Sequence, residues 1–173
     1  MHNFKQKIIP NSSTTLEVQL SSDIKNINVD DFLKSYKISN MWKGKFFIKR
    51  IIKKIFKYQL ITNINWNNNF WQLITINLIS TNLQLDTDDI TLQLKNKITK
   101  KRFNDIEKYK KILIKKDMGS PLYITGKALN IIGGNAKNNE IFILDGSRRI
   151  IASALSNLNP NILLIDSLDR AIE

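Results

Sequence analysis

The sequence predicts an α/β chain of the α+β kind, in which helices accompany a small mixed sheet. Three observations predict it. Short β-branched or alternating runs recur at Leu16–Leu20, Leu73–Ile79, Pro121–Thr125, Glu140–Leu144 and Ile162–Ile165. Charged stretches with apolar residues at helical spacing separate several of them, notably Lys95–Lys116 and Arg148–Leu158. Apolar residues make up 42% of the 173, enough to fill a core, so a globally disordered chain is excluded.

The elements follow in chain order. Residues 1–15 read as a polar lead-in with a turn signal at Pro10-Asn11-Ser12-Ser13. Leu16-Glu17-Val18-Gln19-Leu20 alternates with period two and predicts a half-buried strand. Asn28 precedes Asp30 and Asp31, the pattern of an N-cap followed by acids in a first turn. Lys43–Lys57 carries seven basic residues, with Ile48, Ile51, Ile52, Ile55 and Phe56 at helical spacing. Trp66, Phe70 and Trp71 stand among asparagines and lead into the Leu73–Ile79 strand. Asp86, Asp88 and Asp89 form a turn or N-cap cluster.

Lys95–Lys116 predicts one helix whose face is Phe103, Ile106, Tyr109 or Lys110, and Leu113; Gly119-Ser120-Pro121 stops it. The Gly126–Asn139 segment holds Gly133-Gly134-Asn135 and predicts a loop or hairpin. Glu140–Leu144 predicts a buried strand, Asp145-Gly146-Ser147 a turn, and Arg148–Leu158 a short helix ended by Asn159-Pro160. This organisation suggests a basic N-terminal region, 1–95, packing on the same core as a C-terminal part, 96–173. No internal repeat is visible.

Composition narrows the chemistry. The chain has no cysteine, which excludes disulfides, thiolate metal sites and cysteine nucleophiles. Its one histidine, His2, excludes His-based metal centres and triads. Acid–base work would fall to carboxylates, Lys, Tyr or Ser. The formal charge of +12 favours polyanions as partners: nucleotides, nucleic acid or anionic membranes. Part of that charge follows an Ile-, Asn- and Lys-rich composition. The N-terminus has no apolar core of a signal peptide, and no run approaches the roughly 20 apolar residues of a membrane span. A cytoplasmic protein without a transmembrane segment is the expectation.

The most informative segment is Glu140–Leu155, EIFILDGSRRIIASAL. An apolar strand enters a glycine turn and a helix begins at once. First-turn amides have no intrahelical partners, and the helix dipole adds partial positive charge there. Gly146 lets backbone approach a ligand. Ser147 can cap the helix or donate its hydroxyl, and Arg148 and Arg149 add charge-assisted donors. Two arginines in a first turn are unfavourable with the dipole, so an anion should offset them. Together the parts describe a phosphate site; a plain surface helix with its arginines paired to carboxylates fits the same spacing.

The order helix, PLYIT strand, loop, EIFILDG strand, SRRIIASAL helix, NILLID strand resembles the ParB/sulfiredoxin superfamily over residues 96–168. Its members carry a strand ending in a glycine turn and an Arg-containing helix, as GERR or DGHHR. The resemblance implies a ParB/sulfiredoxin-like C-terminal half that binds a nucleotide di- or triphosphate with Mg²⁺. Gly146, Ser147, Arg148 and Arg149 would hold phosphates, and Asp145 would be the catalytic carboxylate, contacting a metal or orienting an arginine. It implies a small-molecule phosphotransferase or nucleotide hydrolase first. A nucleic-acid-binding protein or ParB-like nuclease, using Arg148, Arg149 and the Lys43–Lys57 face, is the alternative, and a regulatory module without catalysis a third.

Some features depart from the family. Ser147 stands where sulfiredoxin has its catalytic cysteine, so that chemistry is excluded. The imidazoles of DGHHR are replaced by Ser147 and Arg148. The sequence ends at Glu173, so no helix-turn-helix DNA reader is expected. The kinase-like relatives need a carboxylate base, for which the N-terminal acids are Glu17, Asp30 and Asp31.

Overall fold

A computed structural model describes residues 3–9, 14–35, 68–85, 90–131 and 134–168. The expected basic helix Lys43–Lys57, Trp66, the Pro10–Ser13 turn and the Asp86–Asp89 cluster lie outside the described residues. Within them the strands are β1 (Asn3–Lys7), β2 (Thr15–Ile27), β3 (Ile74–Leu85), β4 (Leu122–Thr125), β5 (Ile141–Asp145) and β6 (Asn161–Ser167). They form a mixed six-stranded sheet in the order β1-β2-β3-β6-β4-β5. The helices are α1 (Val29–Ser35), α2 (Asn68–Trp71), α3 (Ile90–Lys97), α4 (Lys100–Leu113), α5 (Gly126–Ile131) and α6 (Ser147–Leu155). The expected α+β class holds.

The chain divides into two compact units, and each draws on residues from both sides of Lys95. The first comprises Met1–Ile24, Ile79–Leu122 and Ile143–Leu163. Here β1 and β2 pair antiparallel, with Phe4 opposite Val18 and Gln6 opposite Leu16. Leu16, Val18 and Leu20 are buried while Thr15, Glu17 and Gln19 are half-buried, the expected period-two pattern. The polar lead-in is nonetheless a strand. Asn3, Lys5 and Lys7 alternate outward and are exposed, as suits a sheet edge, where lysines deter further pairing. Polarity concealed it, because an edge strand needs few apolar side chains.

The single helix expected over Lys95–Lys116 is two helices. Thr99 sits in extended backbone, and its Oγ1 accepts the Arg102 amide at 3.3 Å, so α4 starts afresh there. The earlier helix, α3, begins at Ile90 and buries Ile90 and Leu94. On α4, Arg102, Asp105, Ile106 and Tyr109 recur at i, i+3, i+4 and i+7, which places them on one face. Ile106 is fully buried, and α4 packs against α6.

Helix α6 ends at Leu155, three residues before the expected Leu158. Asn157 adopts φ 53°, and the Leu158 amide reaches Ser153 O at 2.9 Å while that of Asn157 reaches Ala154 O at 3.2 Å. This is a Schellman closure with Asn in the left-handed position. Polar bonds then hold the start of β6. Thr81 Oγ1 donates to Pro160 O at 2.6 Å, Ser80 Oγ to Asn161 Oδ1 at 2.8 Å, and the Leu83 amide to Asn159 Oδ1 at 3.0 Å.

The second unit comprises Lys25–Leu78, Tyr123–Phe142 and Leu164–Glu173. Asn28 caps α1 as expected, its Oδ1 accepting the amides of Asp30 at 2.8 Å and Asp31 at 3.3 Å. Phe32 and Phe70 are buried, with Trp71 6.3 Å and 5.1 Å from them. Phe70 and Trp71 therefore pack with aromatic neighbours in a core. Residues 126–131, expected as loop, form α5. Thr125 Oγ1 accepts the Ala128 amide at 3.2 Å and donates to Asp166 Oδ1 at 2.7 Å, which gives the helix a side-chain cap. Ala128 and Leu129 are buried. The glycines and asparagines further on had masked this short apolar turn.

Strand β5 differs from expectation in burial. Ile141, Phe142, Ile143 and Leu144 are half-buried, because β5 is the outer strand of the sheet order rather than a central one.

Candidate functional site

The site lies in the first unit, where β5 turns into α6. Gly146 has φ 88° and ψ 16°, a left-handed conformation that costs an L-residue about 1–2 kcal/mol. A Cβ at this position would lie 3.0 Å from Pro121 Cα and Cβ and from Arg149 Nη2. The turn therefore needs glycine for both conformation and space. Gly146 also occupies the N-cap position, where it offers no side-chain cap, and its carbonyl accepts the Ile150 amide at 3.0 Å to open the helical ladder. Ser147 is thus the first helical residue, not the cap. The amides of Ser147, Arg148 and Arg149 have no intrahelical acceptor at this end.

The two arginines diverge. Arg149 is largely buried and acts as a clamp. Its Nη1 donates to Met118 O at 2.7 Å and Gly119 O at 2.9 Å, and its Nη2 donates to Asp145 Oδ2 at 3.1 Å. That fork ties the 118–119 backbone to the glycine turn. Arg148 points elsewhere: its Nη1 lies 3.1 Å from Asp105 Oδ2 on α4. The anions that offset the two first-turn arginines are thus supplied by the protein, Asp145 for one and Asp105 for the other. Arg102 lies near Arg148. Burial, and then the Arg148 charge, lowers its guanidinium pKa below the usual arginine value, and its Nε is buried without an acceptor among the described residues.

A cavity of about 450 Å³ opens over this turn, lined by Tyr109, Met118, Asp145, Gly146, Ser147, Arg148 and Arg149. All five residues expected to form the site line it together. The clamp removes Arg149 from the donors that face a ligand freely. The first-turn amides, the Ser147 hydroxyl and the remaining Arg148 N–H groups are what the site offers to an oxyanion.

Asp145 is the one carboxylate among the described residues that line the cavity, and it is bound by Arg149. The described residues contain no group of three or more metal-ligating side chains. One carboxylate suits a Mg²⁺ that arrives on phosphate oxygens and keeps its waters, not a resident ion in a protein cage. Of the N-terminal acids, Glu17 is half-buried on β2, and Asp30 and Asp31 are exposed on α1. None of the three lines the cavity.

Sequence reasoning missed Tyr109 and Met118, which line the cavity, and Asp105, which pairs with Arg148. The signal for Asp105 was its place on the Ile106 face of α4, one turn before Tyr109. Only the packing of α4 on α6 brings that face to Arg148.

Comparison with protein-family models, with curated proteins and with solved structures found no match to this chain. Among the described residues no helix is long and apolar enough to cross a membrane.

Proposed function

We propose that the cavity at the start of α6 receives the phosphate group of a nucleotide, in a ParB/sulfiredoxin-like nucleotide-binding protein that acts as a phosphotransferase or hydrolase. One observation carries the reading. A nine-residue helix opens with a glycine that provides no cap, so its first-turn amides and Arg148 border a cavity able to take an anion. The order of strands, glycine turn and Arg-bearing helix along the sequence supports the nucleotide as the source of that phosphate. The net charge of +12 favours any polyanion in the same way.

In this reading Ser147 and the amides bind the phosphate oxygens, and Arg148 offsets charge on the transferred group. Arg149 holds the turn in the conformation that exposes those amides. Asp145 keeps Arg149 in place and is the nearest acid for a hydroxyl or for the Mg²⁺ of a Mg-nucleotide substrate.

Calorimetric titration tests the proposal. ATP, ADP and CTP with Mg²⁺ are titrated into the wild type and into Arg148→Ala, with a DNA oligonucleotide alongside. Saturable mononucleotide binding that weakens in the variant is the expected result, and release of inorganic phosphate then reads catalysis. Absence of mononucleotide binding, with DNA binding that falls steeply with salt, would overturn the reading in favour of backbone-phosphate contacts.

A further inference from the structure

Arg148 stands between groups of opposite sign on α4. Its Nη1 lies 3.1 Å from Asp105 Oδ2, and both side chains are partly open to solvent. Arg102, three residues before Asp105, feels the Arg148 charge. Two guanidiniums therefore share a neighbourhood with one carboxylate. Tyr109, four residues after Asp105, lines the cavity, so the Asp105 face of α4 borders the site. A long arginine side chain has many rotamers, and repulsion from Arg102 would send an unanchored Arg148 outward into water.

We infer that Asp105 is the positioning residue that holds Arg148 at the mouth of the anion site, an inference that rests on the phosphate-binding reading above. A single carboxylate contact leaves most of the guanidinium donors for a ligand. The anchor also removes rotamer freedom before the ligand arrives, so less is lost on binding. Removing Asp105 sets two effects against each other. By charge alone, deleting a negative group near an anion site tightens anion binding. By position, freeing Arg148 weakens it. The sign of the change separates them.

The experiment is calorimetric titration of inorganic pyrophosphate into the full chain, as wild type, Asp105→Asn, Asp105→Glu, Arg148→Ala and the Asp105→Asn/Arg148→Ala double variant. Thermal melts verify that each variant is folded. Asp105→Asn is expected to weaken binding roughly tenfold, the scale of one charge-assisted contact. In the Arg148→Ala background the same substitution is expected to leave affinity unchanged or slightly tighter. Asp105→Glu, which keeps the charge within reach of the guanidinium, is expected to recover most of the loss. Equal or tighter binding by Asp105→Asn overturns the inference and leaves the phosphate reading standing. An equal loss in both backgrounds also overturns it, because Asp105 then does not act through Arg148. A wild type that takes up no pyrophosphate overturns both.

Discussion

Substituting Gly146 by alanine separates two costs that the turn imposes. The first is conformational. At φ 88° an L-residue loses about 1–2 kcal/mol relative to glycine. The second is steric. The added methyl would meet Pro121 Cα and Cβ at 3.0 Å, a contact that includes backbone and cannot be relieved by a side-chain rotation alone. Overpacking of that kind costs about 1–3 kcal/mol. Together they predict a loss of about 2–5 kcal/mol for Gly146→Ala.

Gly119→Ala is the control. Its φ of 75° imposes the same kind of strain, but the nearest atom to a new Cβ is Arg149 Nη1 at 3.4 Å, an ordinary contact. It should lose only about 1–2 kcal/mol. Urea denaturation of both variants, analysed by linear extrapolation, measures the difference. A Gly146→Ala variant that loses no more stability than Gly119→Ala would refute the close approach of Pro121 to the turn.

Three further perturbations have worked outcomes. Arg149→Ala removes three hydrogen bonds that join Met118, Gly119 and Asp145, and should cost about 2–4 kcal/mol in chemical denaturation. Arg149→Lys should recover little, since an ammonium lacks the planar fork. Ile106→Ala empties a fully buried position on α4 and should lower stability by about 2–5 kcal/mol, read by the same denaturation. Burial pushes the Tyr123 phenol pKa far above the usual tyrosine range. The folded chain therefore holds a proton that the unfolded chain releases near pH ~10. That stability is present below pH ~10 and is lost progressively above it, so the denaturation midpoint should fall more steeply between pH 9 and 11 in wild type than in Tyr123→Phe, a window set by the usual tyrosine value of about 10.

Local patterns proved readable where one face of one element decided the outcome. Leu16–Leu20 alternates because one side of β2 is buried, and Asn28 caps α1 through its own side chain two residues on. The Asp145–Arg149 turn was readable for the same reason, since a glycine between an apolar strand and a helix has few other uses. What sequence could not convey was partner choice. Nothing in Arg148-Arg149 says that one guanidinium reaches back to a loop thirty residues earlier and the next reaches across to α4. Edge placement was equally hidden. Phe142 and Leu144 suggest a buried strand, but burial depends on what lies beside β5, which is set by strand order rather than by its five residues. The break at Thr99 lay within a helix-favouring stretch, so only its capping bond marks the boundary.

The strand order also bears on how the chain comes into being. β6 is the last of the six strands in sequence, yet it sits between β3 and β4. While the chain is being synthesised, the residues of β1, β2 and β3 and those of β4 and β5 are all made before those of β6. Neither set can join the other until residues near 161–167 have left the ribosome. Until then β3 and β4 each present an open row of main-chain donors and acceptors, the kind of surface that recruits strands from other chains. Closure by a strand so distant in sequence slows folding. A chain interrupted before Asn161 would lack the strand that lies between β3 and β4 in the sheet order.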